Sequence, residues 1–242
     1  MKSPIDGRTL EYFDSVESTQ DYVVSAVLEG RTDLGGALAG HQTRGRGRHG
    51  RKWFSPPGSS LSLSVAFWDY ADWERPELLG CAVALAAAEA FDCGVQWPND
   101  VVIAGRKVGG VIVELPQDSA GRRIPVVGVG INLGVEAFPP DVDGDPTSLQ
   151  SEGHDVPTAD AAARAILDAL RSVPEPTEWA SLRERWGGRD ETVGKAYKLP
   201  GGKPGIARGI SESGWLIVES DGDVVIVPSA DAWFGDPRRS RS

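Results

Sequence analysis

Residues 42–53, Gln-Thr-Arg-Gly-Arg-Gly-Arg-His-Gly-Arg-Lys-Trp, concentrate side chains that could do chemistry. Five of the nine residues from Arg44 to Lys52 are cationic, in a chain whose formal net charge is −10. Three glycines (Gly45, Gly47, Gly50) alternate with those charges. Glycine tolerates φ > 0 and close approach of the backbone, so the N–H groups of such a loop can point at an anion. Arginine adds a rigid donor fork that matches carboxylate and phosphate. The combination predicts a mobile lid that closes over a phosphorylated or adenylylated small molecule. A solvated basic loop is the competing reading of this stretch alone.

Three further segments carry candidate groups. Trp97-Pro98-Asn99-Asp100 leads out of an Ala-rich region into a strand. Arg106-Lys107-Val108-Gly109-Gly110 opens the next strand, and its paired glycines admit a ligand or another backbone at short range. Gly128-Val129-Gly130-Ile131-Asn132 ends a strand with two glycines and an amide. Taken singly, Asn99-Asp100 also reads as a turn cap and Lys107 as a solvated hairpin cation, and Gly-x-Gly is weak evidence for a nucleotide fold. The chain contains no Gly-x-x-x-x-Gly-Lys-Ser/Thr phosphate loop. Its three histidines (His41, His49, His154) lack metal-ligand spacing, and no nucleophilic triad is legible.

These groups need a scaffold. Ser18-Thr19-Gln20-Asp21, followed by Val23, Val24, Val27, Leu28 and Gly30, predicts a short capped helix. Leu61 to Phe67 alternates leucine, valine and phenylalanine with serine and alanine, a strand with one buried face. Pro76 to Phe91 reads as a buried helix. Val101–Ile103 and Val108–Leu115 form a hairpin across Ala-Gly-Arg-Lys, and Ile124–Leu133 is another strand. A turn-rich connection from Pro139 to Gly153 precedes helices at Thr158–Val173 and Thr177–Trp186. Beyond Gly188, short strands at Glu191–Leu199, Gly205–Ser211, Trp215–Glu219 and Val224–Val227 alternate with glycine turns, which predicts a small β-barrel. The expected organisation is therefore an α+β unit over residues 1–188, a mixed sheet with flanking helices, and a small barrel over 189–242, with the Arg-Arg-Ser-Arg-Ser tail frayed.

With 40% hydrophobic and 25% charged residues the chain reads as globular. The acidic balance argues against nucleic acid, which needs a wide basic footprint, and no run suits a membrane span. Two lone cysteines, Cys81 and Cys93, form neither a disulfide framework nor a zinc site, as expected of a cytoplasmic protein.

In order along the chain, these segments resemble the biotin–protein ligase family. The resemblance begins at Ser18-Thr19 and includes Gln42 and Gly45-Arg46-Gly47-Arg48-His49-Gly50-Arg51-Lys52-Trp53-Phe54-Ser55-Pro56. It continues through Trp97-Pro98-Asn99-Asp100, Arg106 to Gly110 and Gly128 to Asn132, and Gly205 to Ile210 is similar to the start of the family's Src-homology-3-like C-terminal barrel.

The resemblance implies a two-step reaction. Biotin and ATP with Mg²⁺ give biotinyl-5′-adenylate, and a lysine of a biotin carboxyl carrier protein then attacks the mixed anhydride. Activating a carboxylate with ATP brings two anions together, so positive charge must offset their repulsion. Lys107 matches the lysine in that catalytic role, with Arg48 beside it, and Arg46 and Arg48 match arginines that hold the adenylate. Ser18, Thr19 and Gln42 match the polar edge of the biotin site, with Gly45, Arg46, Trp53, Gly109 and Gly110 lining the rest. Asn99 and Asp100 match positions near the triphosphate and any metal, and Asn132 the nucleotide end. Lipoate–protein ligases and octanoyltransferases share the fold and are the nearest alternative.

Two departures from the family pattern matter. Gln96 stands where a lysine is common, which removes one cation near the phosphates. Only 17 residues precede Ser18, too few for the DNA-binding module of bifunctional relatives, so a monofunctional ligase is expected. Family members occur as monomers and homodimers, and either fits.

Overall fold

The computed structural model describes residues 1–142, 144–199 and 202–228. Seven strands form one sheet: β1 (Thr9–Phe13), β2 (Leu34–Ala39), β3 (Ser60–Ala66), β4 (Gly94–Gln96), β5 (Asp100–Ile103), β6 (Arg106–Glu114) and β7 (Val126–Asn132). Their spatial order is β1-β2-β3-β7-β6-β5-β4, with β1 and β2 parallel and every other neighbouring pair antiparallel. The helices are α1 (Thr19–Leu28), α2 (Pro76–Ala90), α3 (Ala159–Ser172) and α4 (Ala180–Gly187).

Alternation along the strands divides the core. Leu38 and Val65 join the cluster under α2 and α3, whereas their neighbours Ala37 and Ala66 join a second cluster with Val23, Ala26 and Val27 of α1. The helices α2 and α3 therefore cover one face and α1 covers part of the other. The remainder of that second face is surfaced by small and polar residues. Ser62, Gly130, Gly110 and Asp100 stand opposite one another across β3, β7, β6 and β5, and Ser64, Gly128 and Ile112 form the adjacent row.

The sequence anticipates much of this. Ser18 caps α1, its hydroxyl accepting the Asp21 N–H, and Thr158 caps α3. The β5–β6 hairpin turns at Ala104-Gly105, both in the left-handed region at φ 49° and 76°. One expectation needs correction: all seven residues of β3 are buried, not one face only. Ser62 and Ser64 face a cavity and hydrogen-bond to Ser55 and Thr19 there, so polarity does not mark a solvent face. The strands β1, β2 and β4 carry no clear alternation and went unpredicted, and α4 begins at Ala180 instead of Thr177. The Trp97–Pro98 peptide is cis.

Beyond α4 lies a second, antiparallel sheet of four strands in the order β11-β10-β9-β8, comprising β8 (Ala196–Lys198), β9 (Pro204–Ile210), β10 (Leu216–Ser220) and β11 (Asp223–Val227). The β10–β11 turn at Asp221-Gly222 has positive φ at both residues. The Arg-Arg-Ser-Arg-Ser tail and Pro200-Gly201 lie outside the described residues. No described helix is long and apolar enough to cross a membrane.

Candidate functional site

A cavity of about 1230 Å³ opens on the small-residue rows and is roofed by the Arg/Gly loop. At one end, the Gln42 Oε1 accepts hydrogen bonds from the Thr19 backbone N–H (2.8 Å) and the Thr19 hydroxyl (3.2 Å). The Thr19 hydroxyl also meets Ser64 Oγ at 2.9 Å. Beside them the Gln20 Oε1 is buried with no partner among the described residues, and a Cβ on Gly128 would fall 2.6 Å from it. Gly128 thus leaves room for Gln20.

The Trp53 indole walls the middle of the cavity. It lies so close to β7 that a Cβ on Gly130 would fall 2.4 Å from its Cε2. Gly45 is equally constrained, since a Cβ there would meet the Trp53 carbonyl at 2.6 Å. The loop itself folds back as a narrow ribbon, with Trp53 N–H donating to Gly45 O at 2.9 Å and Gly47 N–H to Arg51 O at 2.8 Å. Its two central arginines have different anchors. Arg46 makes a bidentate contact with Glu114, at 3.1 and 2.8 Å, and reaches Asp21 at 2.6 Å. Arg48 donates to Asn99 Oδ1 at 2.9 Å. Hydrogen bonding to Glu114 raises the Arg46 pKa above the ordinary guanidinium value. Burial pulls that of Arg48 below it, against the favourable charge of Asp100.

At the other end, Lys107 Nζ donates to Asp100 Oδ1 at 2.6 Å. Gly110 permits this, because a Cβ there would crowd Lys107 Cε and Nζ at 3.2 Å. Asn99 is held by Nδ2–H donation to Val111 O at 2.6 Å. Asn132 donates Nδ2–H to Thr147 O at 2.9 Å, while its Oδ1 is buried and has no partner among the described residues. It therefore offers the cavity an acceptor. Among the described residues no three His, Cys, Asp or Glu side chains form a metal-holding group.

Of the sequence-predicted residues, Thr19, Gln42, Gly45, Arg46, Arg48, Trp53, Asn99, Asp100, Lys107, Gly110 and Asn132 all line this one cavity. Ser18 and Gly109 do not. The Ser18 hydroxyl is committed to capping α1. Gly109 is one residue out of phase with Gly110 and faces the core, where a Cβ would meet Ile131 Cδ1 at 2.5 Å. Gln96 pairs with Asp100 at the sheet edge, outside the cavity wall. Neither cysteine lines the cavity; both are free and buried, with burial pushing each thiol up to about 12. Sequence reasoning missed Gln20, Ser62, Ser64 and Phe138. The signal for the serines was their unbroken alternation with leucine inside an apolar strand. An edge contact between Phe54 and Phe138, with centroids 6.3 Å apart, ties the Arg/Gly loop to the segment after β7.

The profile of the Biotin/lipoate A/B protein ligase family matches residues 12–132, half of the chain and nearly all of the cavity wall. A biotin–[acetyl-CoA-carboxylase] ligase of Mycobacterium tuberculosis is 30% identical over 244 residues, covering 93% of this chain and 88% of that one. The chain belongs to the biotin protein ligase family. The bifunctional ligase/repressor BirA of Escherichia coli is 32% identical over 253 residues, spanning 98% of this chain and 76% of its own length. Among solved structures, the biotin protein ligase of Aquifex aeolicus in complex with biotin and ATP superposes with a TM-score of 0.71 at 25% identity, covering 92% of this chain and 97% of the other.

Proposed function

We propose that this chain is an ATP-dependent biotin–protein ligase that activates biotin as biotinyl-5′-adenylate and transfers it to a lysine of a biotin carboxyl carrier protein. The observation that carries this reading is the pair of cations, Arg48 and Lys107, held by Asn99 and Asp100 beside a compartment walled by Trp53. In the first step a biotin carboxylate oxygen attacks the α-phosphorus of ATP and pyrophosphate leaves. Lys107 and Arg48 would offset the repulsion between the two anions as they meet. In the second, the carrier amine attacks the acyl carbon and AMP leaves with the bonding electrons. Thr19, Gln42 and Ser64 supply donors and acceptors suited to a ureido group, and Trp53 supplies the apolar wall.

The adenylate is labile to water, so a closing loop has a clear use. The contacts of Arg46 with Asp21 and Glu114 suit a loop that changes partners on closure. Magnesium, if it accompanies ATP, would find an oxygen ligand in Asp100, with phosphates and water supplying the rest. Residues 1–188 would carry both steps, and the sheet β8–β11, packed on the same core, would support them. Two free thiols suit a reducing cytoplasm.

Incubation with α-labelled ATP and either biotin or lipoate tests the reading. Labelled biotinyl-adenylate is the expected product, and on addition of a carrier domain its label should be released as AMP while the unlabelled biotinyl group appears on the carrier. A lipoyl-adenylate instead would move the chain to the lipoate branch of the family, and neither product would refute the activity.

A further inference from the structure

Trp97 connects the second sheet to the cationic end of the cavity. It is fully buried. Its backbone N–H donates to Thr192 Oγ1 at 2.9 Å, and its indole N–H donates to Gly214 O at 3.0 Å. Both acceptors lie beyond α4. Thr192 is itself fully buried and fixed by donation of its N–H to Asp190 Oδ1 at 2.9 Å. The same segment is joined to β4, with Val95 N–H donating to Arg189 O and Glu191 N–H donating to Val95 O, each at 2.8 Å. Gly214 sits in the β9–β10 turn, where Ser213 O accepts from Arg75 at the start of α2 and Glu212 pairs with Arg183 of α4. Immediately after Trp97 the chain passes through Pro98, whose carbonyl accepts from Cys81, and reaches Asn99 and Asp100, the partners of Arg48 and Lys107.

We propose that Thr192 and Trp97 are positioning residues: they fix residues 98–100 against the second sheet, and so set the clasp of Asn99 on Arg48 that holds the Arg/Gly loop. The two residues touch neither the cavity nor the reacting groups. Their effect passes through two peptide units and one side chain. The C-terminal unit thereby controls how firmly the loop closes, without contributing a residue to the cavity wall. The consequence for adenylate retention rests on the function proposed above; the consequence for the loop does not.

The test compares Thr192→Val, which keeps the side-chain shape and removes the acceptor, with Thr192→Ser, which keeps it. Trp97→Phe keeps a ring in the pocket, removes the indole donor, and supplies the comparison if Thr192→Val does not fold. Trypsin is applied to ligand-free protein and cleavage at Arg46, Arg48 and Arg51 is followed by mass spectrometry against cleavage at Arg164 in α3. Loss of one buried hydrogen bond should raise loop cleavage about fivefold in Thr192→Val and Trp97→Phe. Cleavage at Arg164 should be unchanged, and Thr192→Ser should stay within about twofold of the parent. Loop cleavage equal to the parent's, or rising in step with Arg164, would overturn the proposal. Adenylate release, measured in parallel, should accelerate in the same two variants. A parent protein that forms no adenylate would count against the proposed activity and leave the protease comparison decisive for the clasp.

Discussion

Replacing Lys107 by alanine separates chemistry from folding more sharply than any other single change. The lysine Nζ lies 2.6 Å from Asp100 Oδ1, with side-chain exposures of 29% and 18%. In the proposed reaction, removing it takes a fixed positive charge from the place where the two anions would meet. Comparable losses of a preorganised electrostatic partner slow the chemical step by about 10²–10³-fold, or roughly 3–4 kcal/mol. A second cost arises because Asp100 is left largely buried without its cation, on the order of 1–3 kcal/mol of stability. The two effects come apart in the double variant Lys107→Ala with Asp100→Asn. The amide needs no counter-charge, so most of the lost stability should return while turnover stays low. Single-turnover pyrophosphate release at saturating biotin and ATP reports the chemistry, and urea unfolding reports the stability. Release by Lys107→Ala within about fivefold of the parent rate would refute the electrostatic role. Recovery of turnover in the double variant would show that the single variant had failed through folding alone.

The remaining predictions use other parts of the cavity. Gly130→Ala puts a Cβ 2.4 Å from the Trp53 ring, which must then shift by about 1 Å to reach ordinary contact. Such crowding costs about 1–3 kcal/mol, so calorimetry should show biotin affinity falling by about 5-fold or more, and unchanged affinity would remove Trp53 from the biotin wall. Arg48→Gly deletes the contact to Asn99 and should let adenylate escape, detected as biotinylation of bystander proteins in trans; retention equal to the parent's would argue against a clamp. The buried thiols set an alkaline limit. Folding raises each pKa from 9.0 to about 12, so above about pH 9 the unfolded chain loses protons that the folded chain keeps. Stability is then complete below that pH and falls by up to about 1.4 kcal/mol per unit and per thiol as pH rises towards 12. Urea midpoints from pH 8 to 10.5 should drop less for Cys81→Ala than for the parent, and parallel curves would contradict the burial of that thiol.

What was legible in the sequence follows from how far each signal reaches along the chain. The caps at Ser18 and Thr158 and the Ala-Gly turn before Arg106 are local, and they fold where their residues indicate. The motifs Trp97–Asp100, Arg106–Gly110 and Gly128–Asn132 name the right neighbourhoods but leave facing to register. Gly109 and Gly110 look interchangeable in sequence, yet pairing places Gly110 beside Asp100 and Gly130 on the cavity row and Gly109 beside Ile131 in the core. The serines of β3 misled for the same reason: alternation separates two faces without revealing that the polar one covers a cavity. Strand β2 was invisible because Leu34–Ala39 is buried on both faces and carries no period to read. Least legible was the bond from Trp97 to Gly214, which joins residues 117 positions apart. Nothing local to a Trp-Pro turn announces that its indole is gripped by another sheet. The tryptophan is therefore an anchor for the residues after it, and the motif's charged half can serve the cavity because its aromatic half is held elsewhere.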